Sequence, residues 1–156
     1  PGRGDDTRSW GPPYLESNEG RESAYYLSAN RGKESVAVDF KDPRGREILL
    51  KLAGKADILI ENYKVGGLVK YGLDYDSVKV FNPAIVYCSI SGFGQQGPYA
   101  KKPGYDFMIQ AMSGLMSITG MEQPTKVGVA VSDLIAGLYA SVGILGAYVR
   151  ARETGQ

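Results

Sequence analysis

The chain has 156 residues, a formal net charge of +1 and 43% hydrophobic residues, values typical of one ordinary globular domain. The near-zero charge gives no electrostatic footprint for a nucleic acid, so we expect no nucleic-acid partner. The chain contains one cysteine, which excludes an internal disulfide framework and favours a reducing compartment. It contains no histidine. Histidine-ligated metal sites and histidine general bases are therefore excluded within it, and we expect no metal.

The two ends of the chain differ in character from the middle. Residues 1–23 are rich in glycine, proline and charge, a composition that predicts a loop arm or linker. Residues 24–156 carry the hydrophobic segments and form the predicted domain. The chain opens on Pro1 and stops just beyond an apolar helix, so we expect it to be part of a longer protein.

Three strand patterns and one helix pattern predict an α/β fold. Residues 35–40, 57–61 and 84–90 are rich in branched apolar side chains, and the third run is apolar enough to be buried on both faces. Between the first two runs, Asp42 provides a helix N-cap and Pro43 the first helical residue. A strand–helix–strand order implies parallel strands with a right-handed crossover, and hence an open, mostly parallel sheet with flanking helices.

Further helices follow along the chain. Residues 66–82 predict two short helices that are broken at Gly72, and residues 105–117 predict another. Residues 134–149 contain no charged side chain. Sixteen residues are too few for a typical membrane span, so this pattern predicts a buried core helix and no membrane partner.

A glycine-rich loop follows the third predicted strand. Gly92, Gly94 and Gly97 match the G-x-G-x-x-G pattern of dinucleotide-binding folds, in which a helix opens at the third glycine. Here Pro98 follows instead, and the next residues do not favour a helix. A nucleotide-binding domain therefore remains an alternative, but a sharp turn beside a ligand or another segment explains the glycines better.

Two acidic residues stand at predicted helix starts. Asp133 follows Ser132 and precedes the long apolar helix, so it can be an N-cap. A carboxylate held ionised by helix amides can also act as a nucleophile, and both roles are compatible. Asp106 follows Tyr105 at the start of the preceding helix, where capping by Asp106 is the simplest interpretation.

Basic and polar residues follow the predicted strands. Lys41 follows the first strand, and Asn62, Tyr63 and Lys64 follow the second. Ligands bind at the carboxyl ends of strands in open parallel sheets. Lys41, Lys64 and Lys70 could therefore pair with phosphates, although a single lysine is more often a solvated surface residue.

Taken in order, these strings resemble the class III CoA-transferases, of the formyl-CoA and carnitine CoA-transferase type. The resemblance runs over nearly the whole chain and rests on the ordered set rather than on any one string. The matching segments are 30–35, 57–63, 82–98, 104–106, 113–116, 119–120 and 127–137.

The resemblance implies a fold, a cofactor and a reaction. It implies that residues 24–156 are part of a Rossmann-like large domain, whose first strand and C-terminal domain lie outside this chain. It implies coenzyme A, supplied as an acyl-CoA substrate, and a small carboxylic acid as acceptor. The family's catalytic aspartate falls on Asp133, which would attack the thioester and pass through a mixed anhydride and an aspartyl-CoA thioester.

The resemblance also implies residues that contact coenzyme A. Lys70 stands where the family often has arginine, which keeps the charge but loses the bidentate fork. Tyr105 would lie close to the reacting carboxylate. The implied contacts are Val38, Lys41, Asn62, Tyr63, Lys64, Gly67, Lys70 and Tyr105.

The expected assembly follows from the same resemblance. Family members form interlocked dimers, so we expect a homodimer of the complete protein, with the isolated chain inactive. The single cysteine favours a reducing compartment, so we expect a cytoplasmic location, with a mitochondrial or other organelle matrix as the alternative. The acid substrates cannot be read from these residues.

Two other functions remain open. A racemase of the same superfamily would invert the α-carbon of α-methylacyl-CoA esters. It would need a histidine where Tyr105 stands, and the chain has none. A non-enzymatic chain that binds a partner through the small-residue face of the last helix is the other alternative.

Overall fold

The computed structural model describes residues 4–18 and 20–155, which divide into two units between Val38 and Asp39. The predictions for residues 1–3, Glu19 and Gln156 lie outside the described residues. We describe each unit by itself.

The first unit contains a β-hairpin where the sequence predicted a loop. A 3₁₀ turn spans Asp6–Ser9, strand β1 spans Tyr14–Ser17 and strand β2 spans Gly20–Ser23. The two strands pair antiparallel, and the Arg21 guanidinium lies 3.6 Å from the centre of the Tyr14 ring. This cation–π contact supports the pairing. Most of the other side chains of the two strands are exposed, so the segment has no buried apolar alternation from which the sequence could predict it.

Helix α1, Ala24–Asn30, follows β2 directly. The Ser23 hydroxyl accepts hydrogen bonds from the amides of Tyr25 and Tyr26, at 3.1 and 3.4 Å. Ser23 is fully buried. It is therefore both the last residue of the hairpin and the N-cap of the helix.

The predicted strand at 35–40 is not formed. Residues 33–39 carry no regular secondary structure, and Val36 is 66% exposed. A strand is stable only when neighbouring strands satisfy its amides and carbonyls, and the described residues supply none to this segment. The predicted strand–helix–strand unit therefore lacks its first strand.

Helix α2, Pro43–Ala53, starts the second unit as predicted. The Asp42 carboxylate accepts from the Arg44 amide at 2.8 Å, Pro43 is the first helical residue, and the chain leaves the helix at Gly54. Side-chain and backbone hydrogen bonds from Arg44 lower the pKa of Asp42. These local signals fix both ends of the helix.

The second unit is built on a parallel strand pair. Strand β3, Ile58–Glu61, pairs with β4, Val86–Ser89, with Ile58 opposite Val86. The connection contains a 3₁₀ turn and helix α3, separated by Gly72 in the left-handed conformation (φ +62°), which confirms the predicted break. The turn spans Val69–Tyr71 and α3 spans Tyr75–Val78.

The core of this unit lies between α2, α3 and the strand pair. Ala53, Val78 and Ile85 are its buried centre, and partly buried side chains from β3 and β4 pack against them. The Asn82 side-chain amide donates to the carbonyls of Ala53 and Ala56, at 3.0 and 2.8 Å. These bonds tie the turn before β4 to the end of α2.

Helices α4 and α5 complete the unit. Helix α4 spans Asp106–Met112, and a 3₁₀ turn at Leu115–Ile118 follows Gly114, whose φ of +83° interrupts the predicted longer helix. Helix α5 spans Val131–Thr154, 24 residues rather than the predicted sixteen. It contacts α4 and β4.

The prediction that α5 is buried is wrong for the described residues. Leu138 is 67% and Val142 is 68% exposed, because only one side of α5 lies against α4 and β4. By length and composition alone, α5 is able to cross a membrane. The cores of soluble proteins contain helices of the same kind, so the expectation of no membrane partner stays a prediction.

The α/β class is confirmed. Within residues 4–18 and 20–155, the strands form one antiparallel and one parallel pair. The described residues thus supply two strands of the mostly parallel sheet that the sequence predicted.

Candidate active site

Asp133 lies in the first turn of α5, which begins at Val131, three residues earlier than the predicted start at Leu134. The N-cap position is Ala130, which has no side-chain acceptor. The Asp106 carboxylate supplies one instead, accepting from the Ser132 amide at 2.8 Å and the Asp133 amide at 3.4 Å. The prediction that Asp133 caps its own helix is therefore wrong, because that position is already helical.

Asp106 also differs from its predicted role. It is the first residue of α4, and the N-cap position, Tyr105, makes no side-chain cap bond. One Asp106 oxygen binds the amides of α5, and the other accepts from the Gln110 side-chain amide at 2.6 Å. Asp106 therefore joins two helices rather than capping its own.

The electrostatic environment of Asp133 follows from this exchange of roles. Partial burial, and then the negative charge of Asp106, raise the pKa of the Asp133 carboxyl. The amides expected to hold Asp133 ionised are bound to Asp106. A carboxylate of raised basicity is the stronger nucleophile once it is ionised.

A second group of predicted residues surrounds Phe40. The Phe40 ring contacts Tyr63 and Tyr71 edge-on, with ring centres 5.6 and 5.0 Å apart. The Lys70 ammonium lies 4.9 Å from the centre of the Tyr71 ring, and the exposed Lys41 follows Phe40 in the chain. We call Phe40, Tyr63, Lys70 and Tyr71 the Phe40 cluster. It brings together three segments of the predicted site, those around residues 40, 63 and 70.

A polar cleft of about 270 Å³ opens at the carboxyl ends of β3 and β4. This is the edge at which the sequence placed a ligand. A Cβ on Gly67 would lie 2.8 Å from the Lys64 carbonyl oxygen, so the close turn at this wall requires glycine. The lining includes Glu61, Lys64, Gly67, Tyr87, Ser89 and Gln95.

Two predicted residues of the second unit do not join these groups through a hydrogen bond or ring contact among the described residues. Asn62 is exposed, and Tyr105 is 70% exposed directly before Asp106. Within the second unit, the predicted contacts with coenzyme A thus fall into the Phe40 cluster, the cleft and these two separate positions. Val38 is half-buried and belongs to the first unit.

The glycine-rich loop does not have the form of a dinucleotide site. No helix begins between Gly97 and α4, so the helix N-terminus that would hold a pyrophosphate is missing from this stretch. A Cβ on Gly92 would overlap the Gly104 Cα atom. The glycine at 92 therefore serves the close approach of two backbone segments.

Sequence reasoning missed two polar residues at these sites. Gln110 is fully buried, and its spacing of four residues from Asp106 on one helix is the signal that was available. Tyr87 lines the cleft, and its hydroxyl donates to the Leu73 carbonyl at 2.7 Å. Burial, followed by the charges of Glu61 and Asp74, raises the pKa of Tyr87 to about 12.

The family model described as CoA-transferase family III matches residues 1–156, the whole chain. The chain belongs to CoA-transferase family III. It is 51% identical over 160 residues to the succinate–glutarate CoA-transferase of Agrobacterium fabrum, covering 100% of this chain and 40% of that protein. It is 48% identical over 158 residues to the human succinyl-CoA:glutarate CoA-transferase, covering 100% of this chain and 35% of that protein.

The structural comparison agrees with this family assignment. The crystal structure of a CAIB/BAIF family protein from Brucella suis matches with a TM-score of 0.90 and 50% identity, covering 97% of this chain and 41% of that one. This family III chain thus spans less than half of the length of these relatives.

Proposed function

We propose that the complete gene product transfers coenzyme A from an acyl-CoA to a free carboxylic acid, with Asp133 as the nucleophile. The observation that carries the proposal is the placement of a carboxyl group of raised pKa in the first turn of α5, beside a second carboxylate that takes up the helix amides. Family membership supports the reaction class.

Each step of the proposed reaction exchanges one bond for another. An Asp133 oxygen attacks the acyl carbon of the thioester, the C–S bond breaks, and coenzyme A leaves as the thiolate. The thiolate then attacks the Asp133 carboxyl carbon of the mixed anhydride. The C–O bond breaks, the first acid leaves as its carboxylate, and an aspartyl-CoA thioester remains.

The second half repeats these steps with the acceptor. Its carboxylate attacks the aspartyl thioester and expels the thiolate, which gives a new mixed anhydride. The thiolate attacks the acceptor's acyl carbon, and Asp133 leaves as the free carboxylate. Each turnover breaks one thioester, makes another and consumes no net proton. The covalent route therefore conserves the free energy of the thioester bond.

The proposed coenzyme A site combines the Phe40 cluster and the cleft at the ends of β3 and β4. Exposed lysines at both places supply positive charge for phosphates. Gly67 keeps the wall open, since a side chain there would strike the Lys64 carbonyl. Val38, Asn62 and Tyr105 belong to the proposal through their match with the family. Homodimerisation is proposed on the same ground, and a cytoplasmic or organelle-matrix location on the single cysteine, which favours a reducing compartment.

We place the substrates among the short dicarboxylic acids. The relatives at 51% and 48% identity carry succinate and glutarate in their names. Succinyl-CoA is therefore the proposed donor and glutarate the first acceptor to test.

An exchange experiment tests this proposal. The complete gene product is incubated in D₂O with succinyl-CoA, an α-methyl branched acyl-CoA and a set of free acids that includes glutarate, and all thioesters are identified by mass spectrometry. We expect glutaryl-CoA and free succinate in equal amounts. Deuterium at the α-carbon of the branched ester, without a new thioester, would contradict the transferase and indicate a racemase.

Replacement of Lys41 tests the proposed phosphate contacts. We expect Lys41→Ala to weaken coenzyme A binding roughly fivefold at low ionic strength, and less at high salt, because ions screen an exposed charge pair. Titration calorimetry at two salt concentrations measures the effect, with the exposed Lys55→Ala as the matched control. Equal affinities of Lys41→Ala and Lys55→Ala at low salt would remove Lys41 from the site.

A further inference from the structure

The side chain of Gln110 connects α4 with the segment that leads into α5. It is 0% exposed. Its nitrogen donates to Asp106 Oδ2 at 2.6 Å and to the Val129 carbonyl at 3.3 Å, and its oxygen accepts from the Val127 amide at 2.8 Å. One buried amide therefore fixes a carboxylate on its own helix and the backbone just before the next one.

The orientation of this amide is determined by its neighbours. Rotating it by half a turn would place its oxygen against the Asp106 carboxylate and its nitrogen against the Val127 amide. An acceptor would then face an acceptor, and a donor would face a donor. Leaving buried polar groups without a hydrogen bond costs folding free energy. Gln110 therefore holds Asp106 in one direction.

Asp106 transmits this orientation to α5. Its second oxygen accepts from the amides of Ser132 and Asp133, and the N-cap position, Ala130, makes no side-chain cap bond. The position of the first turn is thus tied to a carboxylate that Gln110 holds.

We infer that Gln110 is a positioning residue, which sets the place of Asp133 for attack on the thioester by fixing Asp106 against the first turn of α5. This inference rests on the proposed function of Asp133. We call Gln110 and the Asp106 carboxylate that it binds the clamp. A displacement of about 1 Å at a reacting group can lower a rate by about a hundredfold. Because the clamp binds the first turn of α5, which carries Asp133, it can control kcat.

The test reverses the polarity of the clamp. Gln110→Glu places a carboxylate against Asp106, and Asp106→Asn places an amide nitrogen against the Gln110 nitrogen. In the double variant, the new amide nitrogen at position 106 donates to the new carboxylate at position 110. The amide oxygen at position 106 still accepts from the α5 amides, and the carboxylate at position 110 still accepts from Val127. The longer bond to the Val129 carbonyl, 3.3 Å in the unsubstituted protein, is lost in both variants that carry Gln110→Glu, so it does not contribute to the difference between them.

We expect each single variant to lower kcat per folded molecule at least tenfold, with the KM for succinyl-CoA changed less than threefold. The double variant should recover kcat to within about threefold of the unsubstituted enzyme. In a double-mutant cycle, such a recovery means that the effects of the two substitutions on kcat are not additive, because the two side chains interact. Melting temperatures measured on the same samples give the folded fraction. A residue with a purely structural role would change the melting temperature and leave kcat per folded molecule unaltered, which would overturn the inference.

A second measurement is independent of activity. Hydrogen exchange at the amides of Ser132 and Asp133 should be at least tenfold faster in Gln110→Glu than in the unsubstituted protein, and should return to its original rate in the double variant. Unchanged exchange in Gln110→Glu would overturn the positioning role whatever the activity. An unsubstituted protein without transfer activity would contradict the proposed function alone. If a single variant does not fold, the double variant alone tests the inference. Fast hydrogen exchange at the Ser132 and Asp133 amides in a folded double variant would overturn it.

Discussion

Asp133→Asn should abolish coenzyme A transfer in the complete gene product and leave coenzyme A binding intact. We expect kcat to fall by on the order of 10⁴-fold or more, as for other covalent nucleophiles, because an amide cannot attack the thioester. The stability of the variant should change by less than about 0.5 kcal/mol, since Asp133 is not a capping residue and is an exposed residue. The Asp106 carboxylate, which binds the amides at the start of α5, is unchanged.

Three measurements check this result. Steady-state rates give kcat, titration calorimetry gives coenzyme A affinity, and intact-protein mass spectrometry detects a covalent coenzyme A adduct after incubation with succinyl-CoA. The adduct should form on the unsubstituted enzyme and on the control Asp57→Asn, which replaces another exposed aspartate. Turnover or an adduct in Asp133→Asn would assign the nucleophile to another residue.

Asp133→Glu separates chemistry from position. It retains the carboxylate but moves it outward by one methylene, and a misplacement of this size can reduce a rate about a hundredfold. We therefore expect kcat between that of the unsubstituted enzyme and that of Asp133→Asn. Full activity in Asp133→Glu would show that the fixed first turn of α5 does not control the attack.

Local signals predicted the elements whose ends are fixed by neighbours in sequence. Helix α2 begins at Pro43 because Asp42 binds the Arg44 amide two residues later. The break at Gly72 likewise depends on the left-handed backbone conformation of that one residue. Such interactions need no information about distant parts of the chain.

Elements that depend on distant partners were predicted less well. The run at 35–40 has the composition of a strand but no partner among the described residues, and Val36 remains exposed. The apolar residues of α5 predict that some surface covers the helix, but not which segment provides it. Periodicity identifies an apolar face and does not identify its contacts.

The candidate site shows the same division. The sequence indicated Asp133 as the candidate nucleophile and Lys64, which follows β3, as a candidate phosphate contact, and both roles stay predictions. It did not identify Asp106 as the cap of α5, since this bond joins residues 26 positions apart. Gln110 was overlooked because a glutamine on a short helix acquires its role only from the backbone of 127–129 that packs against it.

The close contact between Gly92 and Gly104 links the fold to this site. Gly92 follows β4, and Gly104 stands two residues before Asp106. A Cβ on either glycine would overlap the Cα atom of the other. The facing atoms belong to backbone and cannot move aside as a side chain does, so any larger residue must displace the start of α4.

Gly104→Ala should therefore destabilise the protein by about 1–3 kcal/mol or more, the range for overpacking a well-packed contact. Thermal unfolding followed by circular dichroism measures this loss. The matched control is Gly137→Ala in α5, where, apart from its chain neighbours and the helix backbone, no atom of residues 4–18 or 20–155 lies within 4 Å of the added Cβ. There the change should raise stability by about 0.5–1 kcal/mol, because alanine is the better helix former. Since Gly104→Ala also moves Asp106 away from the α5 amides, its kcat should fall at temperatures where it is still folded. A Gly104→Ala variant as stable and active as Gly137→Ala would show that the two backbone segments separate freely, and that the position of α4 does not govern the first turn of α5.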